Sequence, residues 1–294
     1  MKSKVLLFGG KGWIGQQVYA ILKQLDITVV LSDVRLEDYN EIMLELCKEN
    51  PTHVVSTIGR THGVYENQVY GTIDYLELPG KLVDNIRDNL YGIMLLARAT
   101  EKLGIHMTYL GTGCIFNYDH QHPKGFYEYN RPNFFGSSYS IVKGFTDNLV
   151  KMYDHILNIR IRMPITSEPN ERDFITKLTK YTKICSMENS MTVLDELLPI
   201  MVDMSLKNEV GTINLTNPGV ITHNEILEMY KEIVDPTFEW ETFSYNEQML
   251  VIKSHRSNNK LNTDKLESKY KVKKIHDSVK EILLKRKALL DKVQ

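Results

Sequence analysis

The sequence predicts an α/β fold, a doubly wound parallel sheet with helices on both faces and a smaller C-terminal α/β region. Three observations predict it. Short apolar runs alternate with stretches of helical period from Val5 onwards. The first run passes through a glycine-rich turn straight into an amphipathic helix. The breaks between elements carry the Gly and Pro residues that end strands and helices.

Val5-Leu6-Leu7-Phe8 is the first strand, and Gly9-Gly10-Lys11-Gly12-Trp13-Ile14-Gly15 follows it. Ile14, Val18, Ile21, Leu22 and Leu25 then recur at helical spacing. Glycines at 9, 12 and 15 let the backbone turn tightly and approach a pyrophosphate at the positive end of the helix. Gly9, Gly12, Trp13, Ile14 and Gly15 are therefore the expected cofactor cradle. Ile27 to Leu31 is a second strand, ending at Ser32-Asp33-Val34-Arg35. In a Rossmann unit an acidic side chain here takes a free ribose 2′-hydroxyl, and an arginine takes a 2′-phosphate. Asp33 and Arg35 give opposite indications for NAD and NADP.

Tyr39, Ile42, Met43 and Leu46 share one helical face before Pro51, and His53 to Ile58 forms a third strand. Residues 60–80 read as an irregular excursion near the mouth of the site. Leu82 to Leu103 reads as one long helix with Leu82, Ile86, Leu90, Ile93 and Ala97 inward, carrying Asn85 and Asn89 near its start. Met107 to Leu110 is the next strand, and it leads into Thr112 and Cys114, two residues apart on one side of an extended chain. Residues 117–138 read as a loop over the site, with His120 and His122 as surface residues. Tyr139 and Lys143 open the next helix four residues apart, on one face. Its apolar stripe is Ile141, Val142, Phe145, Leu149 and Val150. An ammonium beside a phenol favours the phenolate, so Lys143 is expected to lower the pKa of Tyr139 towards working pH.

Leu157, Ile159, Ile161 and Met163 alternate with Asn158, Arg160 and Arg162 in a further strand, and Pro164 marks the exit to a second region. The expected division is 1–164 for the dinucleotide and 165–294 for the substrate, with some elements interleaved. Beyond it come a lysine-rich helix from Phe174, short strands at 192–193 and 213–215 with a helix between, and a capping box at Thr222-His223-Asn224-Glu225. Arg256 lies in the polar loop 254–259, and its planar fork suits a phosphate.

Composition narrows the function. Of 294 residues, 42% are hydrophobic and 25% charged, as in ordinary globular proteins, and a net charge of −1 argues against nucleic-acid binding. No apolar run approaches membrane-spanning length, and Met1-Lys2-Ser3-Lys4 leads directly into a strand, so neither a membrane span nor a signal peptide is expected. The three cysteines, Cys47, Cys114 and Cys185, are unclustered, which suggests no disulfide framework and no metal site. A cytoplasmic location is expected.

Gly9-x-x-Gly12-x-x-Gly15, Thr112 and Tyr139-x-x-x-Lys143 together resemble the extended short-chain dehydrogenase/reductase superfamily. Further segments resemble the bifunctional UDP-4-keto-6-deoxyglucose 3,5-epimerase/4-reductases that make UDP-L-rhamnose. They include Thr112-Gly113-Cys114-Ile115-Phe116, Phe174-Ile175-Thr176-Lys177, Thr216-Asn217-Pro218-Gly219 and Arg256-Ser257-Asn258-Asn259. The resemblance implies a reductase triad of Thr112, Tyr139 and Lys143, and an epimerase pair of Cys114 and Lys177. It also implies contacts from Asn217, Arg256 and Asn258 to the sugar nucleotide. NADPH is the expected cofactor, with NADH as the alternative, and a homodimer is expected. A 4-reductase without epimerase activity and a non-catalytic dinucleotide sensor are the competing readings.

Overall fold

The computed structural model describes residues 3–292. The elements, in chain order, are β1 (Lys4–Phe8), α1 (Trp13–Gln24), β2 (Thr28–Ser32), α2 (Tyr39–Glu49), β3 (His53–Ser56), β4 (Gly63–Tyr65), β5 (Gln68–Tyr70), α3 (Lys81–Ile86), α4 (Gly92–Leu103), β6 (His106–Thr112), α5 (Ser138–Val150) and β7 (Ile156–Ile161). Then follow β8 (Pro164–Ile165), α6 (Phe174–Leu178), β9 (Lys183–Ile184), β10 (Thr192–Val193), α7 (Leu194–Leu206), β11 (Gly211–Asn214), α8 (His223–Ile233), β12 (Glu241–Thr242), α9 (Tyr245–Val251), α10 (Asp264–Glu267) and α11 (Ile275–Leu290). Among the described residues no helix is long and apolar enough to cross a membrane.

Six strands form one sheet in the order β11-β7-β6-β3-β1-β2, and every pairing in it is parallel. Successive parallel strands need crossover connections, and helices supply them on both faces. Val18 and Leu22 of α1 pack with Leu197, Leu198 and Met201 of α7 on one face. Ile42 and Leu46 of α2 pack with Ile93, Leu96 and Ala97 of α4 on the other. The strand order reverses between β1 and β3, and ligands bind in such sheets beyond the strand ends at that point. A separate core of Ile165, Ile175, Met191, Val193, Ile226, Leu227, Val279 and Ile282 holds the C-terminal elements together. The capping box at Thr222 is present, with Glu225 closing it.

Three local readings are corrected. Residues 60–80 contain a hairpin, β4 with β5, whose turn places Glu66 and Asn67 at φ 47° and 61°. Such a turn favours Asn-Gly, and Glu66 concealed it. The helix from residue 81 is interrupted by a π turn at Arg87–Tyr91. Asn85 and Asn89 are wholly buried in this segment, whereas Leu82 and Ile86, expected inward, are exposed. On α5, Val142 and Val150 are buried, but Phe145 and Leu149 face outward.

Candidate active site

The glycine turn after β1 is built for a close ligand. Gly9 has φ +78°, a conformation few side chains tolerate, and a Cβ at Gly15 would overlap the Gly9 carbonyl and lie 2.8 Å from Gly10 Cα. Gly12 caps α1 without any side-chain hydrogen bond, so the first amides of the helix face the turn unclaimed by a capping group. These features fit the pyrophosphate of a nicotinamide dinucleotide. Gly9, Gly12, Trp13, Ile14, Gly15, Asp33 and Arg35 all line one cavity of about 1020 Å³. Lys11 pairs with Asp33 at 2.6 Å, and Arg35 stands 3.5 Å from Glu37.

The same cavity is lined by Thr112, Cys114, Tyr139, Lys143, Lys177, Arg256 and Asn258. Thr112 ends β6, and its hydroxyl accepts from the Cys114 amide at 3.0 Å. Ser137 caps α5 by accepting from the Ser140 amide, and Ser140 in turn donates to the Cys114 carbonyl at 2.7 Å. The cysteine loop and the tyrosine helix are thereby fastened together. Asn85 donates to Ser138 Oγ at 3.2 Å, while Asn89 grips both the amide and the carbonyl of Arg60 at 2.9 Å. The buried asparagines thus orient the start of α5 and the turn after β3.

Tyr139 and Lys143 do not stand as the sequence suggested. Burial pushes the Tyr139 phenol up, with the neighbouring Cys114 thiol adding to the effect and the Thr112 hydroxyl opposing it. Burial also pulls Lys143 down to about 8, against the charges of Asp147 and Cys114. Desolvation outweighs the mutual attraction expected of the pair, so the phenol keeps its proton. Lys143 donates instead to the Tyr109 hydroxyl at 2.5 Å.

Lys177 stands on α6, which Asp173 caps by accepting from the Thr176 amide. Its ammonium donates to the Gly71 carbonyl at 3.2 Å. Burial lowers its pKa, and the positive charge of Arg172 lowers it further. Arg256 donates through Nη2 to Asp74 at 2.5 Å and through Nη1 to the Ser254 carbonyl at 2.7 Å. Burial alone would raise the Asp74 carboxyl, but Arg256 and Thr72 outweigh it and hold it below the usual range. Asn258 Oδ1 accepts from Asn189 at 2.9 Å.

Two expected placements fail. Asn217 is wholly buried away from the cavity wall, accepting from the Val193 amide and donating to Glu196, the Lys273 carbonyl and Ser278. It joins β10 to the start of α11 and does not line the cavity. The 117–138 segment does not cover the site either. Phe126 within it stacks on Phe116 at 4.5 Å and is buried with Leu261, and His122 is held by Asp119 at 2.7 Å. Its aromatic content draws it onto the protein's own surface.

Sequence reasoning missed Asp74, Tyr109 and Arg162. Arg162 is buried in the cavity wall, donating to the Gly113 carbonyl, Ser257, Asn189 and the Ser190 carbonyl. An arginine in an alternating strand was a usable signal, because a buried guanidinium needs acceptors on every side. Tyr109 offered no signal beyond a tyrosine in an apolar strand.

Comparison with known proteins agrees with this geometry. The crystal structure of the L780 UDP-rhamnose synthase from Acanthamoeba polyphaga mimivirus superimposes with a TM-score of 0.93 at 50% identity, covering 97% of this chain and 100% of that one. A bifunctional dTDP-4-dehydrorhamnose 3,5-epimerase/reductase of Arabidopsis thaliana is 40% identical over 95% of this chain and 91% of its own length. The chain belongs to the bifunctional nucleotide-sugar 3,5-epimerase/4-reductase family. It is an enzyme of the extended short-chain dehydrogenase/reductase type. A trifunctional Arabidopsis protein, UDP-glucose 4,6-dehydratase/UDP-4-keto-6-deoxy-D-glucose 3,5-epimerase/UDP-4-keto-L-rhamnose-reductase, is also 40% identical, and the match spans 39% of its length. The fold itself recurs in a dTDP-4-dehydrorhamnose reductase from Bacillus anthracis, with a TM-score of 0.77 at 15% identity, covering 97% of this chain and 98% of that one. No family model matches the chain.

Proposed function

We propose that this enzyme converts UDP-4-keto-6-deoxy-D-glucose to UDP-L-rhamnose, inverting C-3 and C-5 and then reducing C-4. The observation that carries the proposal is that Cys114 and Lys177 line the same cavity as Thr112, Tyr139 and Lys143, from elements far apart in the chain. The C-4 ketone acidifies the hydrogens on C-3 and C-5. Removing one leaves its electron pair in an enolate, with the negative charge on the C-4 oxygen. Tyr139 and Thr112 donate to that oxygen and stabilise the charge as it develops. Cys114 and Lys177 serve opposite faces of the sugar, one accepting the departing proton and the other delivering its replacement, which inverts the carbon. A lysine with a lowered pKa suits this work better than an ordinary one.

Reduction uses the same oxygen site. Gly9, Gly12 and Gly15 would hold the pyrophosphate of a reduced nicotinamide dinucleotide, which would supply the hydride to C-4. Tyr139, held protonated by burial, gives its proton to the oxygen, and Lys143 steadies the phenolate that remains. Arg256 and Asn258 bind the diphosphate side of the substrate. NADPH is the proposed cofactor, because Lys11 neutralises Asp33, and Arg35, which lines the cavity 3.5 Å from Glu37, would exchange that loose pairing for a 2′-phosphate. Residues 1–164 are proposed to hold the dinucleotide and 165–294 the sugar nucleotide. Three unpaired cysteines suit a reducing compartment such as the cytoplasm, the proposed location. A homodimer would cover the outward apolar side chains of two adjoining helical segments, Leu82, Val83 and Ile86 on α3 and Phe145, Leu149 and Met152 on or just beyond α5.

Incubation with UDP-4-keto-6-deoxyglucose in heavy water, without reduced cofactor, tests the proposal. Deuterium is expected at C-3 and C-5, and rhamnose should form once NADPH is added. Reduction without any exchange would leave a plain 4-reductase, and cofactor binding without oxidation would leave a sensor.

A further inference from the structure

We infer that Tyr109 is a positioning residue for the reaction, its buried phenolic oxygen seating the ammonium of Lys143. Tyr109 projects from β6, near the middle of the sheet, and is packed in the core with Phe8, Val54 and Met107. Its oxygen accepts from Lys143 Nζ at 2.5 Å, and the same nitrogen lies 4.7 Å from the centre of its ring. These two distances put the nitrogen beyond the hydroxyl and off the ring face, so the phenolic oxygen is what holds the cation. Lys143 is 4% exposed, so few alternatives compete for its ammonium.

The charged and titratable groups around the lysine make the phenol's part distinct. Asp147, one turn along the same helix, would be the obvious counter-ion. Its two oxygens are instead engaged by Arg160 at 2.8 and 2.7 Å and by Lys151 at 2.9 Å. Tyr139 on α5 and Cys114 on the loop after β6 complete the set. Burial, with Tyr139 and Asp147 adding to it, keeps the Tyr109 phenol far above its ordinary ionisation range. It is thus a neutral acceptor at every working pH. A carboxylate in its place would bind the ammonium as an ion pair and cancel its field at Tyr139. A neutral phenol fixes the cation and leaves its charge effective, with further N–H groups free for other partners.

The bland explanation is a core tyrosine that simply found a partner for its hydroxyl. Tyr109→Phe separates the two, since it keeps the ring and removes the acceptor. Without that bond the buried ammonium loses its proton more readily. The alkaline limb of kcat/KM for ketone reduction should therefore move about one pH unit lower, with about fivefold loss at pH 8 and recovery near pH 6.5. NADPH should bind several-fold more weakly. A native melting temperature with an unchanged pH profile and unchanged cofactor affinity overturns the role.

This inference rests on the reductase reading of Lys143, and Lys143→Met distinguishes the two failures. Reduction that survives in Lys143→Met removes the reading itself and this inference with it. A dead Lys143→Met beside an unaffected Tyr109→Phe overturns the tyrosine's role alone. If Tyr109→Phe does not fold, nitrogen-15 spectra of the lysine ammonium groups in the wild-type enzyme read the same contact, with Lys143→Met giving the assignment. Slowly exchanging ammonium protons on Lys143 are expected, and exchange as fast as that of surface lysines overturns the inference.

Discussion

Replacing Cys114 by serine is expected to divide the two reactions. The thiol is assigned to proton transfer at the sugar carbons, whereas the neighbouring reductase groups are held by the backbone of the same residue. The Cys114 amide donates to Thr112, and its carbonyl accepts from Ser140, so both anchors survive the exchange of sulfur for oxygen. The thiol also pushes the Tyr139 phenol up, and its removal does not impair the proton donor. A positioned acid or base contributes about 10²- to 10⁴-fold, equivalent to roughly 3–5 kcal/mol of barrier. Serine is a far poorer base than a thiolate, so deuterium incorporation at C-3 and C-5 should fall by about that factor. Reduction of a substrate already inverted at both carbons should stay within about threefold of wild type. Proton magnetic resonance of the recovered sugar measures the exchange, and NADPH absorbance measures the reduction. Parallel loss of both activities in a folded variant would refute the separation of roles.

Other perturbations follow from the same geometry. Gly15→Ala places a methyl group against the Gly9 carbonyl, and dinucleotide binding measured by fluorescence should be lost while the C-terminal core stays folded. Arg35→Ala should raise the Kd for NADPH about tenfold and leave that for NADH nearly unchanged, since one charge-assisted contact to a 2′-phosphate is removed. Arg160→Met leaves the buried Asp147 with only Lys151 and the Asn158 amide, and chemical denaturation should show a loss of about 3–5 kcal/mol. His53 and His106 are held below the usual imidazole range and His223 is pulled down to about 4, chiefly by burial. Each is neutral when folded and takes a proton more readily when unfolded. Their contribution to stability is therefore complete above pH 6.5 and lost progressively down to about pH 4, which melting temperatures across that range will record.

The parallel sheet and its glycine turn were legible in the sequence because both rest on short-range patterns. Val5 to Phe8 must be a strand, and the spacing of glycines 9, 12 and 15 leaves few alternatives for the turn. Thr112, Cys114, Tyr139, Lys143 and Lys177 were found through motifs, and one cavity collects them. Asn217 went astray because a motif match does not say which way a side chain turns, and here it turns into the protein. The helix beginning at Lys81 deceived for a related reason. Its buried stripe is polar, Asn85 and Asn89, and periodicity arguments look for apolar stripes. Asp74 and Arg256 lie 182 positions apart, a separation over which local patterns carry no information.

The guanidinium of Arg162 has a mechanical consequence. It bonds at once to the Gly113 carbonyl beside Cys114, to Ser190 and Asn189 before β10, and to Ser257 beside Arg256. These contacts join three chain segments into one rigid wall, because no solvent is present to exchange with a fully buried arginine. A displacement of the 254–259 loop would therefore pull on the backbone beside Cys114 as well, because one guanidinium is bonded to both.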